Sequence, residues 1–191
     1  MVTQEQLTGV VLAGGRSKRM GGEDKGLLLF KNKPLVGYSI NTLKDHVQHL
    51  LISANRNIDI YEKYAQVISD SLENYQGPLA GVLSAMTVAS TPHLLVLPCD
   101  TPFVNNKLIE RLILTMSQNQ ADVCVADDGD RIQPTCAIIK VDLQDDLKEF
   151  LNRGDRKFEL WIKQNKYIKA DCSDLAEQFV NFNRPEDLTS T

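Results

Sequence analysis

Four consecutive apolar residues, Val10, Val11, Leu12 and Ala13, run directly into a glycine pair, Gly14 and Gly15. A short run without polar alternation fits a strand covered on both faces, as in a parallel sheet packed between helices. The stretch that follows carries Gly21, Gly22 and Gly26 together with Arg16, Lys18, Arg19 and Lys25. Glycine lets main-chain N–H groups approach an anion with no side chain in the way, and the cations supply charge. A buried strand opening into a basic, glycine-rich loop reads as a phosphate cradle. Two common spacings are absent. Lys25 is followed by Gly26 rather than Ser or Thr, so G-x-x-x-x-G-K-[ST] fails, and no G-x-G-x-x-G occurs. The alternative is a surface loop whose cations are simply solvated.

The rest of the chain alternates between short apolar runs and helical stripes. Strands are predicted at 50–54, 67–68, 93–98, 122–126, 135–139 and 167–168, with extended segments at 27–30 and 179–183. Helices are predicted at 34–46, 59–64, 79–89 and 157–164, the last with Phe158, Trp161 and Ile162 inward. A further helix carries the stripe Leu108, Ile109, Leu112, Ile113 and Met116, capped by Asn105 or Asn106. Another carries Leu143, Leu147, Phe150 and Leu151 and stops near Gly154, and a terminal helical turn is expected at 185–188. Such alternation predicts an α/β fold with a mostly parallel central sheet and helices on both faces. Ligands of such sheets bind beyond the carboxyl ends of the strands, near the point where strand order reverses. The strand-end residues are Leu12 to Gly15, Asn55, Asp70 and Asp100.

Length and charge narrow the function. At 191 residues without repeats or linkers, the chain reads as a single domain, 1–191. A net charge of −4 argues against a nucleic-acid binder that works by bulk positive charge, and points the local cations toward a small anion. None of Cys99, Cys124, Cys136 and Cys172 forms a C-x-x-C pair, which weakens zinc and redox readings; Cys124 and Cys136 read as small core residues. No apolar run reaches membrane-spanning length and the first residues do not read as a signal peptide, so the expectation is a cytoplasmic protein with reduced thiols.

Asp100 is the sharpest single residue. A carboxylate at the exit of a buried strand can hold Mg2+ between phosphate oxygens, although a helix cap would use the same residue type. Lys25 can neutralise charge that builds on a phosphoryl group, and Arg19 can grip leaving phosphates through its planar fork. Asp70 can hold a sugar hydroxyl, a base edge or a second metal, or simply form a turn. His46, His49 and His93 lie around strand starts, and no Ser-His-Asp or Cys-His arrangement is suggested. An ionised phosphate nucleophile needs no general base, so cations, glycine amides and a metal-binding carboxylate fit phosphate attacking phosphate.

Together these residues resemble the molybdenum cofactor guanylyltransferases (MobA family), part of a nucleotidyltransferase superfamily with a Rossmann-like fold. The likeness begins with residues 12–25. It continues in order through Lys33-Pro34-Leu35, Ala54-Asn55-Arg56, Gly77-Pro78-Leu79-Ala80-Gly81, Pro98-Cys99-Asp100-Thr101-Pro102, Gln133-Pro134-Thr135 and Asn181-Phe182-Asn183-Arg184-Pro185. The resemblance implies a three-layer fold and transfer of GMP from GTP to molybdenum-carrying molybdopterin, with pyrophosphate released and Mg2+ required. It implies that Leu12, Ala13, Gly14 and Gly15 cradle GTP, that Lys25, Asn55, Asp70 and Asp100 contact it, and that Asp100 holds the metal. Gly77, Pro78 and Gly81 would line the base side, and Asn181 and Asn183 fall where the family binds the pterin. Arg19, Lys25 and Asp100 form the implied catalytic set. Implied partners are GTP, molybdopterin, other proteins of molybdenum cofactor biosynthesis and apo-molybdoenzymes, without nucleic acid or membrane. Related cytidylyltransferases usually begin this loop with Ala-Ala-Gly, so Leu12-Ala13-Gly14 favours guanine. Sugar-nucleotide transferases generally place a proline before the lysine, where this chain has Glu23-Asp24. A non-catalytic molybdopterin carrier is the rival of a different class; the Arg19, Lys25 and Asp100 set speaks against it.

Overall fold

The run predicted to be buried on both faces forms β1 (Leu7–Leu12), and all six of its residues are buried. The computed structural model describes residues 1–14, 24–70, 77–183 and 185–188. After β1 come a small ribbon, β2 (Leu29–Phe30) and β3 (Lys33–Pro34), then α1 (Leu35–Leu43), β4 (His49–Ser53), α2 (Ile58–Tyr61) and β5 (Gln66–Ile68). The chain continues through α3 (Pro78–Val88), β6 (His93–Pro98), α4 (Asn106–Gln118), β7 (Val123–Asp127) and β8 (Ile132–Lys140). It ends with α5 (Gln144–Asn152), α6 (Phe158–Gln164), β9 (Tyr167–Asp171) and 3-10 turns at Ser173–Phe179 and Pro185–Leu188.

Seven strands make one sheet in the order β5-β4-β1-β6-β8-β7-β9. β1 pairs in parallel with both β4 and β6. β5 is parallel to β4 and β9 to β7, whereas β8 runs against both of its neighbours. The mostly parallel expectation therefore holds. The direction of β8 follows from its short connection to β7, because a parallel return needs a crossover of about a dozen residues. That connection is fixed by Asp128, whose Oδ1 accepts from the amides of Asp130 at 2.9 Å and Arg131 at 2.8 Å, and by Gly129 at φ 96°.

Alternation along β1 divides the core. Leu7 and Val11, with Ala13 just beyond the strand, face a cluster containing Val36, Ile40 and Leu43 of α1, Tyr61 of α2, and Leu108, Ile109 and Leu112 of α4. Val10 and Leu12 face the other cluster, built from Leu79, Val82 and Leu83 of α3, Leu147 and Phe150 of α5, and Trp161 of α6. The result is three layers, helix–sheet–helix. All four cysteines are free and buried, as the core reading of Cys124 and Cys136 anticipated; burial pushes the Cys124 thiol up to about 12. No helix among the described residues is long and apolar enough to cross a membrane.

Several boundaries move. Lys31 and Asn32 adopt φ of 47° and 62°, so the turn falls on them, Pro34 joins the ribbon, and α1 begins at Leu35. That helix stops at Leu43 rather than at 46, where the His46 amide turns back to Leu43 O and Gln48 N bonds Leu7 O. Asn105 caps α4 by accepting from the Lys107 amide at 3.0 Å. β9 extends beyond the predicted 167–168 because it pairs with β7 along its whole length, and β8 extends beyond 135–139 because Ile132 and Gln133 pair with the end of β7, across a register shift, and Lys140 pairs with His93 of β6.

From β1 the strand order departs one way through β4 and β5 and the other way through β6, which places the switch point between β1 and β6. Their ends are level: Leu12 is in register with Pro98, and Cys99 N donates to Leu12 O at 3.2 Å. On the other flank Ala13 N donates to Ser53 O at 2.9 Å.

Helix α3 approaches this point closely through Gly81. A Cβ there would fall 2.3 Å from Ser53 Oγ and 3.1 Å from Leu12 Cδ2. Gly81→Ala should therefore destabilise the fold by about 1–3 kcal/mol from overpacking, enough to outweigh the ~1 kcal/mol that alanine gains in helix propensity. Thermal unfolding should show the loss, and Ser53→Ala in the same chain should recover part of it.

Candidate active site

Asp100 sits two residues past β6, beside the end of β1. Its Oδ2 accepts from Lys25 Nζ at 2.5 Å. Its Oδ1 is buried from solvent with no hydrogen-bond partner among the described residues. Lys25 opens a 3-10 turn, Lys25–Leu27, and its ammonium also donates to Asn183 Oδ1 at 2.6 Å. Residues separated by 75 and 158 positions from Lys25 thus meet on one nitrogen.

The segment that delivers Asn183 is held by main chain and by aromatic packing. Phe182 N donates to Asp100 O at 2.9 Å. The Phe182 ring packs edge-on against Phe30 at 4.9 Å and Phe103 at 5.5 Å. In extended chain, residues one apart on either side of Phe182 fall on the opposite face. Asn183 there reaches Lys25, while Asn181 donates to Phe179 O at 3.3 Å within its own segment.

Asn55 and Asp70 follow β4 and β5 on the far side of β1. Asn55 Nδ2 donates to Asp70 Oδ2 at 2.7 Å, and the Asp70 amide donates to Asn55 Oδ1 at 2.8 Å. Burial raises the Asp70 carboxyl above its ordinary range, against the lowering effect of the Asn55 bond. Gly14 lies next to this pair: a Cβ on it would come 3.4 Å from Asn55 Nδ2. Leu12 and Ala13 have buried side chains, so what they can offer a ligand here is main chain. Gly77 is exposed at φ 78°, a left-handed conformation suited to glycine, and Pro78 opens α3. Gly81 is buried against the sheet, so its packing accounts for its lack of a side chain. Gly15 and Arg19 lie outside the described residues, as do Arg16 and Lys18.

Asp24 joins the site without having been singled out in the sequence. It is almost fully buried, and its Oδ1 accepts from the Tyr61 hydroxyl at 2.6 Å. Its Oδ2 accepts from Asn57 Nδ2 at 2.9 Å and lies 3.6 Å from Arg56 Nε. Position next to Lys25 was the available signal; what hid it was that its partners come from α2 and the turn before it.

The MobA-like NTP transferase domain model matches residues 9–168. The molybdenum cofactor guanylyltransferase of Shewanella sediminis is 42% identical over 182 residues, 95% of this chain and 93% of that one. Its counterpart in Shewanella pealeana is 40% identical over 182 residues, 95% and 91% of the two chains. Molybdopterin-guanine dinucleotide biosynthesis protein A from Archaeoglobus fulgidus superposes with a TM-score of 0.78 over 95% of each chain, at 22% identity. The bifunctional IspDF of Campylobacter jejuni gives a TM-score of 0.76 at 18% identity, over 97% of this chain and 54% of that one. These two superpositions speak for the fold.

The raised Asp70 carboxyl has a consequence for stability. A carboxyl whose folded pKa exceeds its unfolded one binds more protons in the native state, so stability falls as pH rises through that window. Asp70→Asn removes the charge while its amide oxygen can still accept from Asn55. In urea unfolding, the variant should match the parent near pH 4, the ordinary aspartate range, and become the more stable of the two as pH rises.

Proposed function

The chain belongs to the MobA-like NTP transferase family, and from that premise we propose that it transfers GMP from GTP to molybdenum-loaded molybdopterin, releasing pyrophosphate. The observation that carries this reading is the meeting of Lys25, Asp100 and Asn183 at the level ends of β1 and β6. In this reading the main chain of Leu12, Ala13, Gly14 and Gly15 receives the phosphates. Asn55 and Asp70 hold the nucleoside, and Gly77 and Pro78 flank its base, with Gly81 supporting them from behind. Asn181 and Asn183 face the pterin. Residues 1–191 act as a single nucleotidyltransferase domain, supported by the one sheet that spans β1 to β9.

Asp100 fits a divalent cation. Its buried Oδ1 is a hard, unpartnered oxygen, and Mg2+ is usually held by one or two carboxylates, with substrate phosphates and water completing the shell. Bound there, Mg2+ would supply Lewis-acid neutralisation of phosphate charge. Lys25 places an ammonium beside the same carboxylate and stabilises charge that develops on the transferring phosphoryl group. Arg19 would grip the departing pyrophosphate. The attacking group is a phosphate that is already ionised, so the site needs no base. His49 and His93 open β4 and β6, at the sheet edge opposite Asp100. We place the reaction in the cytoplasm, ahead of hand-over to apo-molybdoenzymes and alongside the other cofactor-biosynthesis proteins; the free thiols agree with that compartment.

Pyrophosphate release should require both GTP and molybdopterin and should be far weaker with CTP. Asp100→Asn and Lys25→Ala should each lower turnover by about 100-fold or more while the protein stays folded. Preference for CTP, pterin binding without any pyrophosphate release, or near-normal turnover by Asp100→Asn would overturn the assignment.

A further inference from the structure

We propose that Tyr61, Asp24 and Gly26 form a clamp that presets Lys25, with Tyr61 and Asp24 as positioning residues for nucleotidyl transfer. The inference rests on the role given to Lys25 above. Lys25 lies between two constrained neighbours. On one side, Asp24 is a nearly buried carboxylate held by the Tyr61 hydroxyl at 2.6 Å, by Asn57 Nδ2 at 2.9 Å and by Arg56 at 3.6 Å. A carboxylate leaves water only when such partners replace it, so Asp24 cannot move without losing them. On the other side, a Cβ on Gly26 would fall 2.4 Å from the Tyr61 oxygen, and its next neighbours are Tyr61 Cζ at 3.3 Å and Cε1 at 3.4 Å. One phenol therefore holds the turn from both sides of the lysine.

Tyr61 is itself enclosed. It is fully buried, and burial together with Asp24 raises its hydroxyl far above the ordinary tyrosine range, so it stays a donor. It shares a core cluster with Cys99, the residue before Asp100. The contacts of Tyr61 with Asp24 and Gly26 thus lie on the two residues that flank Lys25. Asn57 contributes from a left-handed turn at φ 51°, and its exposed backbone leads directly into the helix that carries Tyr61. The stem of Lys25 is fixed by these contacts, while its ammonium is aimed by Asp100 and Asn183. A lysine preset in this way needs no reordering to meet the charge that develops on the transferring phosphoryl group.

The clash at Gly26 supplies the test. Gly26 is not in the left-handed region, so Gly26→Ala is opposed by the Tyr61 oxygen rather than by backbone conformation. Gly26→Ala should displace Lys25 and lower kcat toward about 100-fold, the effect expected of a misplacement near 1 Å, with little change in KM for GTP. Tyr61→Phe removes the opposing oxygen. The double variant should recover part of the kcat that Gly26→Ala loses, up to the level of Tyr61→Phe alone, which itself falls below the parent because Asp24 loses a donor. Asp24→Asn should also lower kcat, because an amide offers one acceptor oxygen where the carboxylate offers two, so that either the Tyr61 hydroxyl or the donors of Asn57 and Arg56 lose their acceptor. A second readout needs no turnover: in nucleotide-free protein, an amine-acylating reagent followed by peptide mass mapping should modify Lys25 faster in Gly26→Ala and Asp24→Asn than in the parent.

Thermal unfolding of every variant separates positioning from mere stability. A kcat unchanged in folded Gly26→Ala, or absence of recovery in the folded double variant, overturns the clamp. So does Lys25 acylation at the parent rate in both Gly26→Ala and Asp24→Asn. If the parent itself releases no pyrophosphate, the functional reading fails while the acylation rates still decide whether the clamp exists. If the parent turns over and the double variant fails to recover, only the clamp is lost.

Discussion

The pairing of β1 on both flanks is the constraint from which the site descends. A strand hydrogen-bonded in parallel to β4 and β6 has no free edge, and one buried on both faces cannot slip by a residue without sending its apolar side chains to the wrong cluster. Register is therefore fixed, and with it the level ends at Leu12, Ser53 and Pro98. Whatever follows these strands must emerge at one place. Gly14, Asn55 and Asp100 are neighbours because three strands stop together, although they are distant in sequence.

On that frame the charged groups gather from loops. The Lys25–Asp100 pair is about four-fifths buried on each side, at 17% and 20% side-chain exposure. Burial of this kind gives little net stability, since the desolvation of both ions offsets their attraction. Its effect is geometric: it fixes an ammonium beside the carboxylate and recruits Asn183 as a second acceptor. The aromatic contacts of Phe182 with Phe30 and Phe103 then bind the late segment 179–183 to the β2–β3 ribbon and the loop after Asp100. Three parts of the chain are thereby tied at the mouth of the switch point.

Much of this could be read from residues alone. The apolar run at 10–13, the strand ends, and the stripes of α3, α4 and α6 all follow from period and burial, and the structure places Lys25, Asp100 and Asn183 together. The antiparallel course of β8 was implicit in the short Asp128-Gly129-Asp130 turn, but a strand pattern by itself carries no direction. The Asp24–Tyr61 bond was hidden for a different reason. Tyr61 reads locally as one position of a short helix over 59–64, and only the packing of α2 (Ile58–Tyr61) under the Lys25 turn gives its hydroxyl a target. Likewise Gly81 reads as part of a loop-and-helix motif, whereas its lack of a side chain is required by Ser53 across the helix–sheet interface. Local pattern reveals periodicity; it does not reveal which groups meet after the layers close.

The same separation bears on nucleotide choice. With the side chains of Leu12 and Ala13 buried, a grip on phosphate at the end of β1 is a main-chain grip, and main-chain amides do not distinguish one base from another. The fold is shared with IspDF and with a molybdopterin-guanine dinucleotide biosynthesis protein, and a fold by itself does not determine which base is held. Discrimination must then come from groups set back from the phosphates. In the proposed reading Asn55 and Asp70 are so placed, beside Gly77 and Pro78 at the base, and the two mutual hydrogen bonds of Asn55 and Asp70 hold both side chains in one orientation. A fixed amide–carboxylate pair can select by hydrogen-bond pattern where a mobile one would adapt to either base. In the proposed reaction, catalysis would therefore reside at the β1–β6 boundary and selectivity one and two strands away, at the ends of β4 and β5.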